Sequence, residues 1–245
     1  TEELTSAISQ PTAPISISGL SNFVNCNGLS DGSIDIDVSG GAQEYSYVWS
    51  NGSTDEDLTD LSAGTYLITV TDTSNCIETN SFVVTEPSSA LSVSLSKMDV
   101  MCSGGLDGQI ESMVQGGTQP YTYLWSNNES SENLIGISAG VYTLNVTDEN
   151  GCSAFTGTQV LEPDLLVVNS VVTGPSCSGY DDGNVVLSIS GGIQPYVFNW
   201  GNEDEILLNN SSETLDSLIS SDYFIRVRDD NGCINEQIII VSEPD

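Results

Sequence analysis

An all-β fold is what this sequence predicts: a tandem array of three small immunoglobulin/fibronectin-III-like antiparallel β-sandwich repeats. Two observations carry that expectation. One set of landmark residues recurs three times in a fixed frame, and between the landmarks short alternating apolar–polar stretches are broken by turn-forming pairs.

The frame is set by the cysteines. First cysteines stand at 26, 102 and 177, and second cysteines at 76, 152 and 233. From Cys26 to Cys102 is 76 residues and from Cys102 to Cys177 is 75. Trp49, Trp125 and Trp200 each follow the first cysteine of their copy by 23 residues. Asp31-Gly32, Asp107-Gly108 and Asp182-Gly183 begin five residues after it. Gly-Gly pairs follow at 40–41, 116–117 and 191–192, and Glu-Pro closes each copy at 86–87, 162–163 and 243–244. The expected division is therefore 15–87, 88–163 and 164–245 for the three repeats. Residues 1–14 read as the last strand of a preceding copy plus a linker, because Pro11 falls where such a copy's closing proline would stand. On the same reasoning Pro244-Asp245 reads as a junction.

Within a copy each element has its own signal. In the first, Ile34, Ile36 and Val38 alternate with polar residues, as do Tyr45, Tyr47 and Trp49 (with Val48 opposite), and then Tyr66, Ile68 and Val70. Period-two alternation marks half-buried strands. Asp31-Gly32, Gly40-Gly41, Asn51-Gly52, Ala63-Gly64 and Ser74-Asn75 supply the turns between them. Strands are expected near 15–20, 33–39, 45–50, 56–61, 65–71 and 78–85, with a seventh after Asn51 as an alternative. The run from Leu61 to Tyr66 has the form of the corner where such sandwiches cross between sheets beside a tyrosine, and Ile137 to Tyr142 repeats it. The third copy carries six additional residues, all between Trp200 and Tyr223. They fall in one loop, where added length costs little.

Composition excludes several functions. Thirty-five acidic residues face only Lys97, Arg226 and Arg228, a net charge of −32 without a histidine. Nucleic acid and anionic membrane surfaces both require a basic face. No apolar run approaches the ~20 residues of a membrane-spanning helix. General acid–base and nucleophilic chemistry usually recruits His, or an activated Lys or Cys, and the repeats offer none in such a setting. Only a carboxylate-pair hydrolase stays open to so acidic a chain, and no enzyme activity is expected.

Candidate functional residues follow from the recurrent positions. Cys26, Cys76, Cys102, Cys152, Cys177 and Cys233 are disulfide candidates, because two cysteines per small domain without CxxC clusters fit staples in an oxidising compartment. Pairing within a copy (Cys26–Cys76, Cys102–Cys152, Cys177–Cys233) is the preferred expectation, each bond closing a loop worth about 4 kcal/mol. A seven-strand copy would instead put its two cysteines at opposite poles, about 25 Å apart. Cys26 would then face Cys152, and Cys102 would face Cys233. Asp31, Asp72, Asp107, Asp148, Asp182 and Asp229 recur in Gly/Asn-rich turns and are candidate calcium ligands. Ordinary Asp-Gly turn chemistry explains the same residues, and no cofactor other than calcium is suggested. The tryptophans and tyrosines read as core anchors in preference to a sugar-stacking face, and a binding surface would sooner lie in variable loops such as 201–219.

The order C-x4-D-G, G-G-x-x-x-Y-x-Y-x-W, A-G-x-Y, T-D-x-x-x-C and E-P resembles the SprB-type repeat. It stands here as Cys102, Asp107-Gly108, Gly116-Gly117, Tyr121 to Trp125, Gly140-Val141-Tyr142, Thr147-Asp148, Cys152 and Glu162-Pro163. The resemblance spans 15–245; Glu44 departs from the proline seen at 120 and 195, and Arg228 from the threonine before the aspartate. It implies a large cell-surface adhesin of gliding Bacteroidetes, exported by type IX secretion and displayed as an extracellular filament. Implied partners are neighbouring repeats, the motility and secretion machinery, and extracellular polysaccharide or abiotic surfaces. A stalk role is the first reading. Binding of polysaccharide by the repeats themselves is the second, and an accessory region of a secreted hydrolase the third.

Overall fold

The computed structural model describes residues 13–201, 205–208 and 210–244. The expected strand over residues 1–11 lies outside them. Among the described residues every regular element is a strand, and strands pair only within three successive groups.

In the first group, β1 (Ser16–Asn22), β2 (Gly32–Ser39) and β4 (Leu58–Leu61) form one sheet in the order β1-β2-β4. The strands β3 (Tyr45–Trp49), β5 (Gly64–Asp72) and β6 (Ile77–Val84) form the other, in the order β3-β5-β6. All pairings are antiparallel. The alternation read from sequence is what packs: Ile34, Ile36, Ile68, Val70 and Trp49 point between the sheets, joined by Val24 and Val84. The expected all-β, immunoglobulin-like sandwich is thus borne out.

The second group repeats the plan. Its strands are β7 (Ser92–Met98), β8 (Gly108–Gln115), β9 (Thr122–Trp125), β10 (Leu134–Ile137), β11 (Gly140–Thr147) and β12 (Ser153–Val160). Their sheets run β10-β8-β7 and β12-β11-β9. The third group has seven: β13 (Val167–Thr173), β14 (Gly183–Ser190), β15 (Tyr196–Trp200), β16 (Ile206–Leu208), β17 (Ser212–Leu218), β18 (Ser221–Arg228) and β19 (Ile234–Val241). The six additional residues let β16 pair beside β15, giving β13-β14-β17 and β16-β15-β18-β19.

By compactness the chain forms two units, Thr1–Ser94 with Met113–Tyr123 and Asn145–Phe155, and Leu95–Ser112 with Leu124–Leu144 and Thr156–Asp245. The end of the second sandwich that carries Cys152 belongs to the first unit, and the end that carries Cys102 to the second.

Two features fix strand polarity. The edge strands β1 and β6 run the same way, since Asn80 Nδ2 donates to Ile17 O (3.0 Å) and Ser21 Oγ to Val83 O (2.8 Å). The corner before β5 is closed by Tyr66, whose hydroxyl donates to Ser62 O at 3.0 Å; Tyr142 and Tyr223 do the same to Ser138 O and Ile219 O.

Candidate functional site at the cysteine-bearing poles

Each sandwich has one cysteine at each pole. The first cysteine sits in the loop between the first two strands, beside the end of the last one: Val24 N donates to Thr85 O (2.8 Å) and Gly28 N to Glu86 Oε2 (2.6 Å). The second cysteine sits in the turn that begins that last strand. In the first sandwich β6 lies between the two, eight residues and about 25 Å of strand rise. A disulfide needs Cα atoms within about 7 Å.

The preferred expectation of bonds within copies is therefore wrong. Cys26 bonds Cys152 (Cα–Cα 5.7 Å) and Cys102 bonds Cys233 (5.5 Å), while Cys76 and Cys177 are exposed free thiols. Six strands do not bring the two cysteines of a copy to one pole, because β3 and β4 run in the same direction. Residues 50–57 return the chain part-way down the sandwich without forming a strand, so a six-strand copy keeps the polarity of a seven-strand one. The rule is that the first cysteine of one copy joins the second cysteine of the next.

The loop that holds a first cysteine is built the same way in each copy. Asp31 Oδ1 accepts from Asn25 N (3.1 Å) and its Oδ2 from Asn25 Nδ2 (2.6 Å). Asp107 accepts from Met101 N (3.2 Å) and Asp182 from Ser176 N (2.8 Å). That bond holds the Asp182 carboxyl below the usual carboxylate range. The closing glutamate completes the loop, for Glu162 and Glu243 accept from Gly104 N and Gly179 N as Glu86 does from Gly28 N. Asn27 Nδ2 donates to Pro87 O (2.8 Å), so Glu86-Pro87 clamps the loop.

The turn that holds a second cysteine is organised by the aspartate four residues before it. Asp72 is buried, and its carboxylate accepts from Ala42 N (2.9 Å), Ser74 N (2.8 Å) and Cys76 N (2.9 Å). These bonds, led by that from Ala42, hold its carboxyl below the usual range. Asp148 accepts from Thr118 N, Asn150 N and Cys152 N, and Asp229 from Ile193 N and Cys233 N. One carboxylate thus ties the turn to the Gly-Gly pair about 30 residues upstream. Those glycines have no substitute: Gly40 has φ +80°, and a Cβ there would lie 1.9 Å from Pro14 O.

Across each bonded pair one asparagine bridges the two copies. Asn150 Nδ2 donates to Asn25 O (3.0 Å), and Asn231 Nδ2 to Met101 O (2.8 Å). Cys152 Sγ and Cys233 Sγ lie 3.4 Å from the same carbonyl oxygens, a packing contact, since a disulfide sulfur carries no hydrogen.

The structure thus places all six candidate aspartates on backbone N–H groups in two separate sets, one at each pole. Among the described residues no three acidic, cysteine or histidine side chains gather as metal ligands would. The aromatic anchors divide. Trp49 and Trp125 are buried, with indole N–H groups on Asp55 O and Ser131 O (both 2.9 Å). Trp200 is only half-buried, stacked on Tyr223 at 5.1 Å, because Tyr196 and Phe198 fill the third core. The hydroxyls of Tyr45, Tyr121 and Tyr196 cover the Gly-Gly turns, donating to Gly40 O, Gly116 O and Gly191 O. Burial, and then Glu56, push the Tyr47 hydroxyl up to about 12.

A family model of the SprB repeat matches residues 24–54, 94–130 and 169–204, one stretch in each sandwich. The chain carries three SprB repeats. SprB repeats belong to surface proteins, and the two cystines fit an oxidising extracellular setting. The repeat family and its sandwich fold are structural and non-catalytic. No curated protein matches the chain. Among solved structures, a three-domain titin fragment is similar over 97% of this chain and 100% of its own, at 12% identity and a TM-score of 0.46. The ectodomain of mouse nectin-like molecule 4 is similar over 93% and 95%, at 9% and 0.36. Eight domains of Down syndrome cell adhesion molecule are covered to 37% at 14% identity, with 97% of this chain covered and a TM-score of 0.38. The fold class of the SprB repeats rests on their strand pairing and not on these likenesses. No helix among the described residues is long and apolar enough to cross a membrane.

Proposed function

We propose that this chain is a structural stalk segment of a large repetitive cell-surface adhesin filament that serves gliding motility and surface attachment. The observation that supports it is the linkage of each SprB repeat to the next by a cystine within a hydrogen-bonded cradle. Load entering the chain need not pass through every strand. The shortest covalent path runs from residue 1 to Cys26, across to Cys152, back to Cys102, across to Cys233 and on to 245. That is 25, 50 and 12 residues of backbone, against the full 245. Its partners in this reading are neighbouring repeats and the secretion and motility machinery that exports and moves the filament. The heavy negative charge keeps neighbouring filaments apart and soluble.

Pulling single chains by both ends tests the reading. With cystines intact, the fully extended length is about 300 Å; after reduction it is about 850 Å, at roughly 3.5 Å per residue. Equal lengths in the two states would show that the cystines carry no tension along the chain. Selective binding of the intact chain to polysaccharides on a glycan array would replace the stalk role with adhesion by the repeats themselves.

A further inference from the structure

We infer that Cys76 and Cys177 are the two open halves of the same cystine ladder, each built to receive one further SprB repeat. A repeat on the amino-terminal side would supply its first cysteine to Cys76, and one on the carboxy-terminal side its second cysteine to Cys177. This rests on pole geometry and holds whatever the filament does.

The turn around Cys76 already has the bonded form. Cys76 N donates to Asp72 Oδ1 at 2.9 Å, as Cys152 N and Cys233 N donate to Asp148 and Asp229 at 2.8 Å. Asp72 N donates to Cys76 O at 3.0 Å, against 2.9 and 3.0 Å in the bonded turns. Asn75 takes φ +62°, where Gly151 and Gly232 take +85° and +86°. The loop around Cys177 likewise copies the bonded loops. Tyr180 N donates to Cys177 O at 3.1 Å, as Leu29 N does to Cys26 O (3.0 Å) and Gly105 N to Cys102 O (2.9 Å). Asp182 and Glu243 hold its flanks as Asp31 and Glu86 hold those of Cys26. The surroundings also match. Leu29 beside Cys26 and Ile234 beside Cys233 line grooves at the bonded pairs, and the corresponding Tyr180 and Ile77 stand exposed at the free ones. The backbone around both free cysteines therefore repeats the turn and loop that hold the bonded ones, and both thiols are exposed.

Forming the bond removes one proton and one electron from each thiol. A disulfide oxidant accepts both pairs and is released as two thiols; oxidised glutathione serves in the test.

The experiment joins two whole chains, Pro244 of the first to Thr12 of the second. Ile15 then follows the junction proline by four residues, as Leu91 follows Pro87. After oxidation in glutathione buffer, the inference expects a linked peptide containing Cys177 of the first copy and Cys76 of the second. Two free thiols should remain per joined chain. Four free thiols, with the Cys26–Cys152 and Cys102–Cys233 peptides intact, overturn it. Should the joined chain misfold, the unjoined chain at high concentration serves instead. It should form multimers linked only through Cys76 to Cys177, lost in both C76S and C177S. Persistent Cys76–Cys76 dimers in C177S would contradict the ladder.

Discussion

Removing the Cys26–Cys152 bond should destabilise the first repeat selectively, and the structure sets the size of the effect. When that repeat unfolds with the bond intact, Cys26 stays tied to the folded end of the second repeat. The second repeat's Leu91 lies against Gly117, which packs on Asp148 near Cys152, so the ends of the unfolded segment remain close. The closed loop therefore runs from Cys26 to Leu91, 65 residues. The chain-entropy relation gives about 4 kcal/mol for a loop of that length at 25 °C. A C26S/C152S chain should lose that amount. By hydrogen exchange read peptide by peptide, amides in β5 that open with the whole repeat should exchange roughly a thousandfold faster. Amides of β14 and β18 in the third repeat should be unaffected. A change under tenfold in β5, or an equal change in the third repeat, would refute the view that the cystine restrains one unfolded repeat through its folded neighbour.

Three further outcomes follow from the poles and cores. The carboxyls of Asp72 and Asp182 are depressed in the folded state, so the stability they contribute is complete above the unfolded value of 3.8. It is lost as pH falls through their folded values. Thermal melts should therefore drop below about pH 4, with a shallower drop in D72N; a melt flat from pH 5 to 2.5 would contradict this. Trp49→Ala should cost roughly 3–5 kcal/mol in urea unfolding, whereas the half-buried Trp200→Ala should cost about 1–2 kcal/mol; equal losses would place Trp200 in a core. Because the recurrent aspartates already accept backbone N–H groups, chelation with EDTA should leave the melting temperature unchanged. A rise on adding back calcium would establish the ion at these turns.

The sandwich was legible because its signals are local. Alternation at Ile34–Val38 and Tyr66–Val70, with Gly-Gly and Asn-Gly breaks, needs no distant partner to be read. The cysteine pairing was not, because it depends on strand polarity, and polarity is set by residues 50–57, which carry no strand pattern at all. The spacing of Asp72 and Cys76 was visible, but the role of the aspartate depends on Ala42, 30 residues away in another turn. Trp200 held its place in the frame yet not its burial, because Phe198 replaces the half-buried Tyr47 of the first copy and occupies the core itself. The added length between Trp200 and Tyr223 was legible from spacing, but not that this stretch would hold β16 paired beside β15 where one loop was expected.

The most direct test of the linkage between repeats is a peptide map of the unreduced protein. The account predicts peptides joining Cys26 to Cys152 and Cys102 to Cys233, with Cys76 and Cys177 alkylated as free thiols. Peptides joining Cys26 to Cys76 and Cys102 to Cys152 would contradict it.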